Sequence, residues 1–348
     1  MSTHVKRRIG LLTGGGDAPG LNGIIEAVAR ELSKDGCQVI GIEDGFDGIY
    51  EGRTVELKPS TVDGAHQLAG TMLGTSNKSS TSGRVEEFQK RFAELKLDGL
   101  IAAGGDGTFQ ALGRVLTGLK IIGVPKTIDN DLAGTDMTFG YDTACAVVAD
   151  SVDALRATAN AHRRVMIVET MGRTAGWIAL GGGLASYADA ILIPERPFSR
   201  EALKDFLKAR RASGHRGCMI VASEGAIGVG EKASIAFRVE GSPQAERFGG
   251  FSETLARWIE AETGWESRHV VLGHLQRARP PTTTDRFLTL MMGHEVSQMV
   301  RENDWNKAVV YRDGSVTRAP ISDLMKPARL VSADHKWVKV AEALGIFI

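Results

Sequence analysis

The sequence has few cysteines, no long hydrophobic run and no excess of either charge. Lys and Arg together number 42, as do Asp and Glu, so the formal net charge is zero. This balance argues against nucleic-acid binding and against anionic membranes, since both need a surplus of basic residues. No apolar run approaches the roughly 18 to 20 residues of a membrane span, and no signal peptide is visible. The scattered Cys37, Cys145 and Cys218 indicate reduced thiols and a cytoplasmic protein.

Glycine, in contrast, is abundant, at 42 of 348 residues, about 12% where an average protein has about 7%. The glycines cluster at 14–16, 104–107 and 181–183. Because a glycine backbone can approach a ligand closely, such clusters are typical of phosphate-binding turns.

Short apolar runs alternate with segments of helical periodicity, which predicts an α/β fold with two doubly wound, parallel-sheet (Rossmann-like) domains. The boundary is expected near residue 140. The predicted strands are Ile9–Thr13, Val39–Ile42, Gly99–Ala103, Ile121–Val124, Val165–Val168, Ala190–Ile193 and Met219–Ala222. The predicted helices lie at Leu21–Leu32, Val85–Leu95, around Thr143–Leu155, Ala202–Ala212 and Thr254–Ala261.

Three motifs follow predicted strands and are expected at one edge of one sheet, where α/β proteins bind ligands. The first, Thr13–Asn22, offers backbone N–H groups to an anion, or is a tight turn with a helix cap at Asp17. The second, Ala103–Thr108, places Asp106 where it could hold Mg²⁺ beside a polyphosphate, or carries a helix N-cap at Asp106 or Thr108. The third, Pro125–Asp131, carries two carboxylates suited to proton transfer and its support, or forms an Asx-turn cluster.

A basic set at the ends of predicted strands in the second half indicates a site for an anion, because guanidinium groups bind phosphate in a fork. For any single arginine a surface ion pair is the alternative. Glu224, after the strand Met219–Ala222, could accept hydrogen bonds from sugar hydroxyls or be an ordinary loop carboxylate. The set comprises Arg164, Arg173, Arg268, His274 and Arg277.

Together these segments resemble the phosphofructokinase family over nearly the whole chain. The matching motifs are Gly-Gly-Asp-Ala-Pro-Gly-Leu-Asn at 15–22, Gly-Gly-Asp-Gly-Thr at 104–108, Pro-Lys-Thr-Ile-Asp-Asn-Asp at 125–131, Met-Gly-Arg at 171–173 and Leu-Gly-His-Leu-Gln-Arg at 272–277. The resemblance implies phosphorylation of fructose 6-phosphate at its 1-hydroxyl with Mg²⁺, and a homo-oligomer, either a dimer or a tetramer. It also implies a donor-binding domain at 1–140 plus about 276–327, and a sugar-phosphate domain at 141–275 plus about 328–348.

The resemblance assigns roles residue by residue. Asp129 is the general base, supported by Asp131, and Asp106 is the carboxylate associated with Mg²⁺. Thr127, Arg173 and the backbone N–H of Gly16 stabilise the transferring phosphoryl group. Donor binding falls to Gly15, Gly16, Gly105, Asp106, Gly107, Thr108 and Lys126. Sugar-phosphate binding falls to Thr127, Asp129, Asp131, Arg164, Met171, Gly172, Arg173, Glu224, Arg268, His274 and Arg277, with Arg164 and Arg268 reaching in from a neighbouring subunit.

The phosphoryl donor is ATP or pyrophosphate. Gly107 leaves room for the α-phosphate of ATP, where members of the family that use pyrophosphate usually carry Asp. Lys126 is typical of pyrophosphate enzymes, although some members that use ATP also have it. The steric argument favours ATP. An arginine that bridges the two phosphates in bacterial ATP enzymes is Asn77 here, and Lys78 is its possible substitute.

Two further departures concern the acceptor and regulation. Ala278-Arg279 replaces a pair of glycines and leaves open another acceptor, such as sedoheptulose 7-phosphate. Glu26, Pro59, Ser213 and His215 stand where the effector site of regulated members has Arg or Lys, although Arg30 is kept, so we expect little allosteric control. A catalytically dead sugar-phosphate sensor and a nucleotide-binding dehydrogenase are alternatives that the intact acidic residues and the missing dinucleotide fingerprint disfavour.

Overall fold

The computed structural model describes residues 7–76, 81–238 and 246–348, which form two compact units. The first unit contains the described residues up to Ile128, then Leu132–Asp142 and Arg277–Ala328. The second contains Asp129–Asp131, Thr143–Gln276 and Arg329–Ile348. The expected boundary placed Asp129–Asp131 in the first unit, but the segment groups with the second. There, Arg329 hydrogen-bonds the Asn130 and Asp131 carbonyls.

Strands and helices alternate along most of the chain. The strands are β1 (Arg8–Thr13), β2 (Gln38–Ile42), β3 (Thr54–Glu56), β4 (Gly99–Gly104), β5 (Ile121–Pro125), β6 (Val165–Thr170), β7 (Ala190–Leu192), β8 (Cys218–Ser223), β9 (Ile235–Arg238), β10 (Glu246–Phe248), β11 (Ser267–Val271), β12 (Lys307–Arg312) and β13 (Ser315–Pro320). The α-helices are α1 (Leu21–Lys34), α2 (Phe46–Glu51), α3 (Val85–Glu94), α4 (Asp106–Val115), α5 (Tyr141–His162), α6 (Trp177–Ala185), α7 (Arg200–Ala212), α8 (Phe251–Thr263), α9 (Leu275–Ala278), α10 (Thr283–Glu302) and α11 (Lys336–Ala343). Every predicted strand and helix is confirmed, with its ends shifted by a few residues.

A seven-stranded sheet in the order β13-β12-β5-β4-β1-β2-β3 forms the first unit. Its five inner strands are parallel, as predicted, but β3 and β13 pair antiparallel at the two edges. The predicted parallel sheet is therefore present, with one antiparallel strand added at each edge. Strand β13 returns beside β12 through Asp313 and Gly314, whose φ angles of 48° and 80° suit a two-residue hairpin turn.

Each face of this sheet carries its own core, because successive strand residues point to opposite faces. On β1, Ile9 and Leu11 pack with α1 and α10, whereas Leu12 packs with Phe109 of α4. The predicted doubly wound architecture is thus present in the first unit.

The second unit has a four-stranded parallel sheet in the order β11-β6-β8-β7 and a separate antiparallel pair, β9 and β10. Helices α7 and α8 cover one face of the parallel sheet. On α6, Cβ atoms added to Gly182 and Gly183 would collide with Val148 and Ile191. These glycines allow close packing of a helix, and the phosphate-binding interpretation of cluster 181–183 is wrong. Among the described residues, no helix is long and apolar enough to cross a membrane.

Candidate functional site

Three polar turns of the first unit follow three neighbouring parallel strands. Gly14–Gly16 follows β1, Gly105–Thr108 follows β4, and Lys126-Thr127 follows β5. Since the sheet order is β5-β4-β1-β2, the chain reverses its direction of progress between β4 and β1. That reversal is the topological switch point where open α/β sheets bind ligands. The predicted meeting at one sheet edge is confirmed for the first two motifs and for Lys126-Thr127 of the third, whose carboxylates Asp129 and Asp131 group with the second unit.

Thr108 locks the first two turns together. Its side chain is 4% exposed, and a Cβ added to Gly14 would lie 2.6 Å from its Oγ1. A Cβ on Gly104 would overlap the same side chain. The N–H of Gly14 also donates to the carbonyl of Ala103 at 2.8 Å. The glycines are therefore required for these turns to approach each other.

Helix α4 starts at Asp106, with Gly105 as its N-cap and no side-chain cap. The alternative interpretation of Asp106 or Thr108 as the cap is therefore wrong. The carboxylate of Asp106 accepts from Gln110 Nε2 at 3.3 Å and is exposed. A Cβ added to Gly107 would meet no atom within 4 Å. The helix N-terminus thus offers N–H groups, one carboxylate and open space.

Helix α1 likewise has no side-chain cap. Its N-cap is Gly20 at φ 107°, so the interpretation of Asp17 as the cap is wrong. The loop before it is held from one side by segment 71–76. Thr75 Oγ1 donates to the Gly15 carbonyl at 2.5 Å, and the Gly15 N–H donates to Ser76 at 3.3 Å. The next residues, Asn77 and Lys78, lie outside the described residues.

Two cationic side chains converge on the loop at Gly16. The N–H of Lys126 donates to the Gly104 carbonyl at 2.9 Å, and its ammonium group, on a side chain 2% exposed, donates to the Gly16 carbonyl. Arg277 donates to the carbonyl of Asp17 and lies against Gly16. Arg277, predicted for sugar-phosphate binding, is therefore found in the first unit beside the first glycine turn.

In the second unit, Met171–Arg173 and Glu224 follow the paired strand ends Thr170 and Ser223. The N–H of Arg173 donates to Glu224 Oε1 at 3.1 Å. Gly172 and Arg173 have φ angles of 132° and 54°, and a Cβ on Gly225 would overlap the Arg173 carbonyl. Gly225, which sequence reasoning missed, is therefore needed for this turn.

The Glu224 carboxyl has a pKa close to neutral pH. Burial raises its pKa to about 7, although the hydrogen bond from the N–H of Arg173 lowers it. The carboxylates of Asp129 and Glu169 also raise it. The charges of Asp129 and Arg173 thus lie close enough to Glu224 to change its pKa.

The segment that carries Asp129 bends sharply. Asn130 is 3% exposed and has φ 54°, a left-handed conformation that Asn tolerates better than most residues. Arg329 donates to the carbonyls of Asn130 and Asp131. Thr127, in the first unit, accepts at its carbonyl from Thr138 Oγ1 at 2.7 Å.

Arg164 and Arg268 lie at the opposite, amino edge of the same sheet. Arg164 precedes β6, and Arg268 is the second residue of β11. At about 3.3 Å per residue, roughly 20 Å separates Arg164 from Thr170 along the strand. The two guanidinium groups share Glu266, at 2.9 and 2.6 Å. His274, in contrast, follows the carboxyl end of β11 and is exposed.

Within residues 7–76, 81–238 and 246–348, no group of three acidic, His or Cys side chains could hold a metal ion. A single carboxylate such as Asp106 nevertheless suits Mg²⁺, which is usually bound through one or two carboxylates together with phosphate oxygens and waters.

Comparisons with known proteins identify this architecture. A family model described as "Phosphofructokinase" matches residues 8–300. The chain is 41% identical to the ATP-dependent 6-phosphofructokinase of Chloroflexus aggregans, over 98% of this chain and 97% of that protein. It is 40% identical to the pyrophosphate–fructose 6-phosphate 1-phosphotransferase of Amycolatopsis methanolica, over 94% and 97%. The crystal structure of a pyrophosphate-dependent phosphofructokinase from Nitrosospira multiformis shares the fold, with a TM-score of 0.83 at 20% identity, covering 98% of this chain and 92% of that one.

Proposed function

The chain belongs to the phosphofructokinase family, a family of phosphotransferases, and we propose that it transfers the γ-phosphoryl group of Mg-ATP to the 1-hydroxyl of fructose 6-phosphate. The products are fructose 1,6-bisphosphate and ADP. The observation that carries the proposal is the meeting of three family motifs at the switch point of the seven-stranded sheet.

The first unit binds the phosphoryl donor. Glycine turns and the uncapped start of α4 suit a polyphosphate, because N–H groups at a helix N-terminus attract anions. The buried ammonium group of Lys126 and the guanidinium of Arg277 add positive charge beside Gly16. The donor-binding residues are Gly15, Gly16, Gly105, Asp106, Gly107, Thr108 and Lys126.

Asp106, which is exposed in the first turn of α4, would hold Mg²⁺ on the protein side. When bound, the ion neutralises charge on the transferring phosphoryl group. The hydrogen bond from Gln110 orients the Asp106 carboxylate.

Phosphoryl transfer needs a base, in-line positioning and charge neutralisation. Asp129 accepts the proton of the sugar 1-hydroxyl, and Asp131 supports it. Thr127, Arg173 and the N–H of Gly16 stabilise the transferring group. The electrostatic proximity of Asp129 and Arg173 to Glu224 supports the grouping in the second unit.

The sugar phosphate is bound by Met171, Gly172, Glu224, His274 and Arg277 of one subunit. Arg164 and Arg268 act on the site of a neighbouring copy. Their position at the amino edge of the sheet supports this assignment, because Met171–Arg173 and Glu224 follow the carboxyl edge. The active enzyme is then an obligatory homo-oligomer.

The choice of ATP rests on Gly107. Because a Cβ there would meet no protein atom within 4 Å, the turn leaves space for a larger donor. The names of relatives do not discriminate, since both donors occur at about 40% identity. The second candidate is a reversible, pyrophosphate-dependent enzyme, which the buried Lys126 favours.

A different acceptor, such as sedoheptulose 7-phosphate, is motivated by Ala278-Arg279. Ala278 is the last residue of α9, directly after Arg277. A change of side chain here could alter which sugar phosphate is accepted.

Little allosteric control is expected because Glu26 stands where regulated members have a basic residue, and its carboxylate is fully hydrogen-bonded within the protein. Glu26 is 5% exposed and accepts from Arg30 Nε at 2.8 Å, His66 N at 2.9 Å and Gly64 N at 3.2 Å. Burial opposes ionisation, but the hydrogen bonds from His66, Arg30 and Gly64 outweigh it and lower the pKa of Glu26. An ionised Glu26 would repel an anionic effector.

The test is the initial rate with fructose 6-phosphate and Mg²⁺, with ATP and pyrophosphate compared at matched concentrations. Activity with ATP alone supports the proposal, and activity with pyrophosphate alone supports the second candidate. If neither donor works, sedoheptulose 7-phosphate is the next acceptor to supply.

A further inference from the structure

One arginine holds the backbone that carries Asp129. The N–H of Arg329 donates to the Asp131 carbonyl at 2.7 Å, and its Nη2 donates to the Asn130 carbonyl at 2.8 Å. Both acceptors lie within two residues of Asp129. Arg329 therefore holds the backbone directly after Asp129.

Arg329 is itself held by Trp177. The indole Nε1 donates to the Arg329 carbonyl at 2.7 Å, and the guanidinium carbon lies 4.1 Å from the centre of the indole ring. This distance permits a cation–π interaction. Trp177 is 3% exposed and starts α6, four residues after Arg173. The tryptophan thus links the segment of Asp129 to the helix that follows the Arg173 turn.

The half-buried carboxylate of Glu195 ties the same two segments a second time. Glu195 accepts from the N–H of Gly176 at 3.0 Å and from the N–H of Val331 at 2.9 Å. Gly176 precedes Trp177, and Val331 lies two residues beyond Arg329. We call Arg329, Trp177 and Glu195 the clamp. Glu195 fixes it on both sides, at the residue before Trp177 and at the second residue after Arg329.

We propose that Arg329, held by Trp177, is a positioning residue for the base Asp129. The inference rests on the function proposed above. It requires no contact between Arg329 and substrate: the guanidinium acts through the Asn130 carbonyl, and the backbone N–H of the same residue holds the Asp131 carbonyl. Because a base must lie within hydrogen-bond reach of the proton it removes, a displacement of about 1 Å can lower turnover by about 10²-fold.

The kinetic test compares Arg329→Met with Arg156→Met. Arg156 is the matched control because its guanidinium, like that of Arg329, donates to backbone carbonyls of the second unit, here those of Ser186 and Tyr187, at 2.7 and 3.0 Å. We expect Arg329→Met to lower kcat by about 10- to 100-fold, with the KM for fructose 6-phosphate nearly unchanged. Arg156→Met should retain the wild-type kcat. Equal effects of the two variants on kcat would overturn the proposal.

A chemical rescue separates positioning from general destabilisation. Free guanidinium should restore part of the kcat lost in Arg329→Ala, and it should have no such effect on Asp129→Asn. Loss of kcat in Arg329→Ala without any rescue, together with a fall in stability that accounts for it, would mean that Arg329 is only structural.

Hydrogen exchange tests the clamp without any substrate. The amide of residue 329 donates to the Asp131 carbonyl and that of Val331 to Glu195. In Arg329→Met and Trp177→Phe, these two amides should exchange faster than in the wild type, whereas Arg156→Met should leave them unchanged. Unchanged exchange would refute the clamp even in a protein that phosphorylates another acceptor. A wild-type protein that is inactive with fructose 6-phosphate but shows the expected exchange would refute the proposed function alone.

Discussion

The carboxylate of Glu224 accepts a hydrogen bond from the backbone N–H of Arg173 at 3.1 Å. Arg173 has φ 54°, a conformation that a non-glycine residue rarely adopts. Glu224 therefore supports a strained turn at the end of β6, and it does so while half-buried near the carboxylates of Asp129 and Glu169. The protein retains a carboxyl group there at a cost in stability, as expected of a residue that acts on a ligand.

The first prediction concerns stability and pH. Burial raises the pKa of Glu224 from 4.5 to about 7, so between these pH values the unfolded chain releases a proton that the folded chain keeps. The free energy of unfolding should fall over this range, by about 3 kcal/mol from this residue. Glu224→Gln should abolish that part of the slope in urea denaturation at pH 5 and pH 8. Glu253→Gln, which alters an exposed pair with Arg257, is the control and should keep the wild-type slope.

The second prediction concerns the base. Asp129→Asn should lower kcat by about 10²- to 10⁴-fold, since the amide cannot accept the proton of the sugar hydroxyl. The Kd for fructose 6-phosphate, measured by calorimetry, should stay within a few-fold of the wild-type value because the phosphate end is bound elsewhere. Wild-type turnover in this variant would remove Asp129 as the base.

The third prediction concerns the donor. Gly107→Asp should raise the KM for ATP at least about tenfold, because the new carboxylate repels the α-phosphate in the open space beside α4. Gly107→Asn is the matched control, equal in size but without charge, and should have a smaller effect. Equal effects of Asp and Asn would mean that volume, and not charge, excludes the nucleotide.

The fourth prediction concerns regulation. Saturation with fructose 6-phosphate should be hyperbolic and should not change with ADP or phosphoenolpyruvate, since Glu26 occupies an expected basic position. A sigmoidal curve that ADP relaxes would contradict this. Glu26→Gln tests whether Glu26 causes the lack of response. If its negative charge excludes anionic effectors, the variant should gain sensitivity to them.

Much of the fold could be read from the sequence, because buried strands such as Ile121–Pro125 are continuous apolar runs followed by polar turns. The strand β13 was missed because its alternating residues are half exposed, although Asp313-Gly314 is a recognisable hairpin signal. The glycines at 181–183 were misinterpreted because a glycine needed for helix packing looks the same in sequence as one that binds phosphate. Only their contacts with α5 and β7 reveal the difference.

The candidate site was predictable where a motif follows a strand and unpredictable where a distant segment supports it. Asp106 and Asp129 stand in such motifs. Arg329 does not: it follows Asp131 by almost 200 residues, in a stretch with no glycine cluster or strand end. Its hydrogen bonds to Asn130 and Asp131 depend on tertiary structure that local sequence patterns do not encode.

The fifth prediction concerns which subunit supplies Arg268. Arg268 lies at the amino edge of the sheet of the second unit, whereas Glu224 follows the carboxyl edge. If Arg268 acts on a neighbouring copy, Arg268→Ala should mainly raise the KM for fructose 6-phosphate, because it binds the end that does not react. Mixing Arg268→Ala with Asp129→Asn should then restore activity at low substrate concentration, since some sites combine an intact Asp129 with an intact Arg268 of the partner.

The same mixture distinguishes the alternative. If Arg268 acted within its own chain, every chain with an intact Asp129 would lack it, and mixing would restore nothing. Arg257→Ala changes an arginine on the exposed face of α8 and is the control. Assayed without a second variant, it should have the wild-type KM for fructose 6-phosphate. Restored activity would also show that subunits exchange and that the complete site needs two chains, because neither variant has both groups.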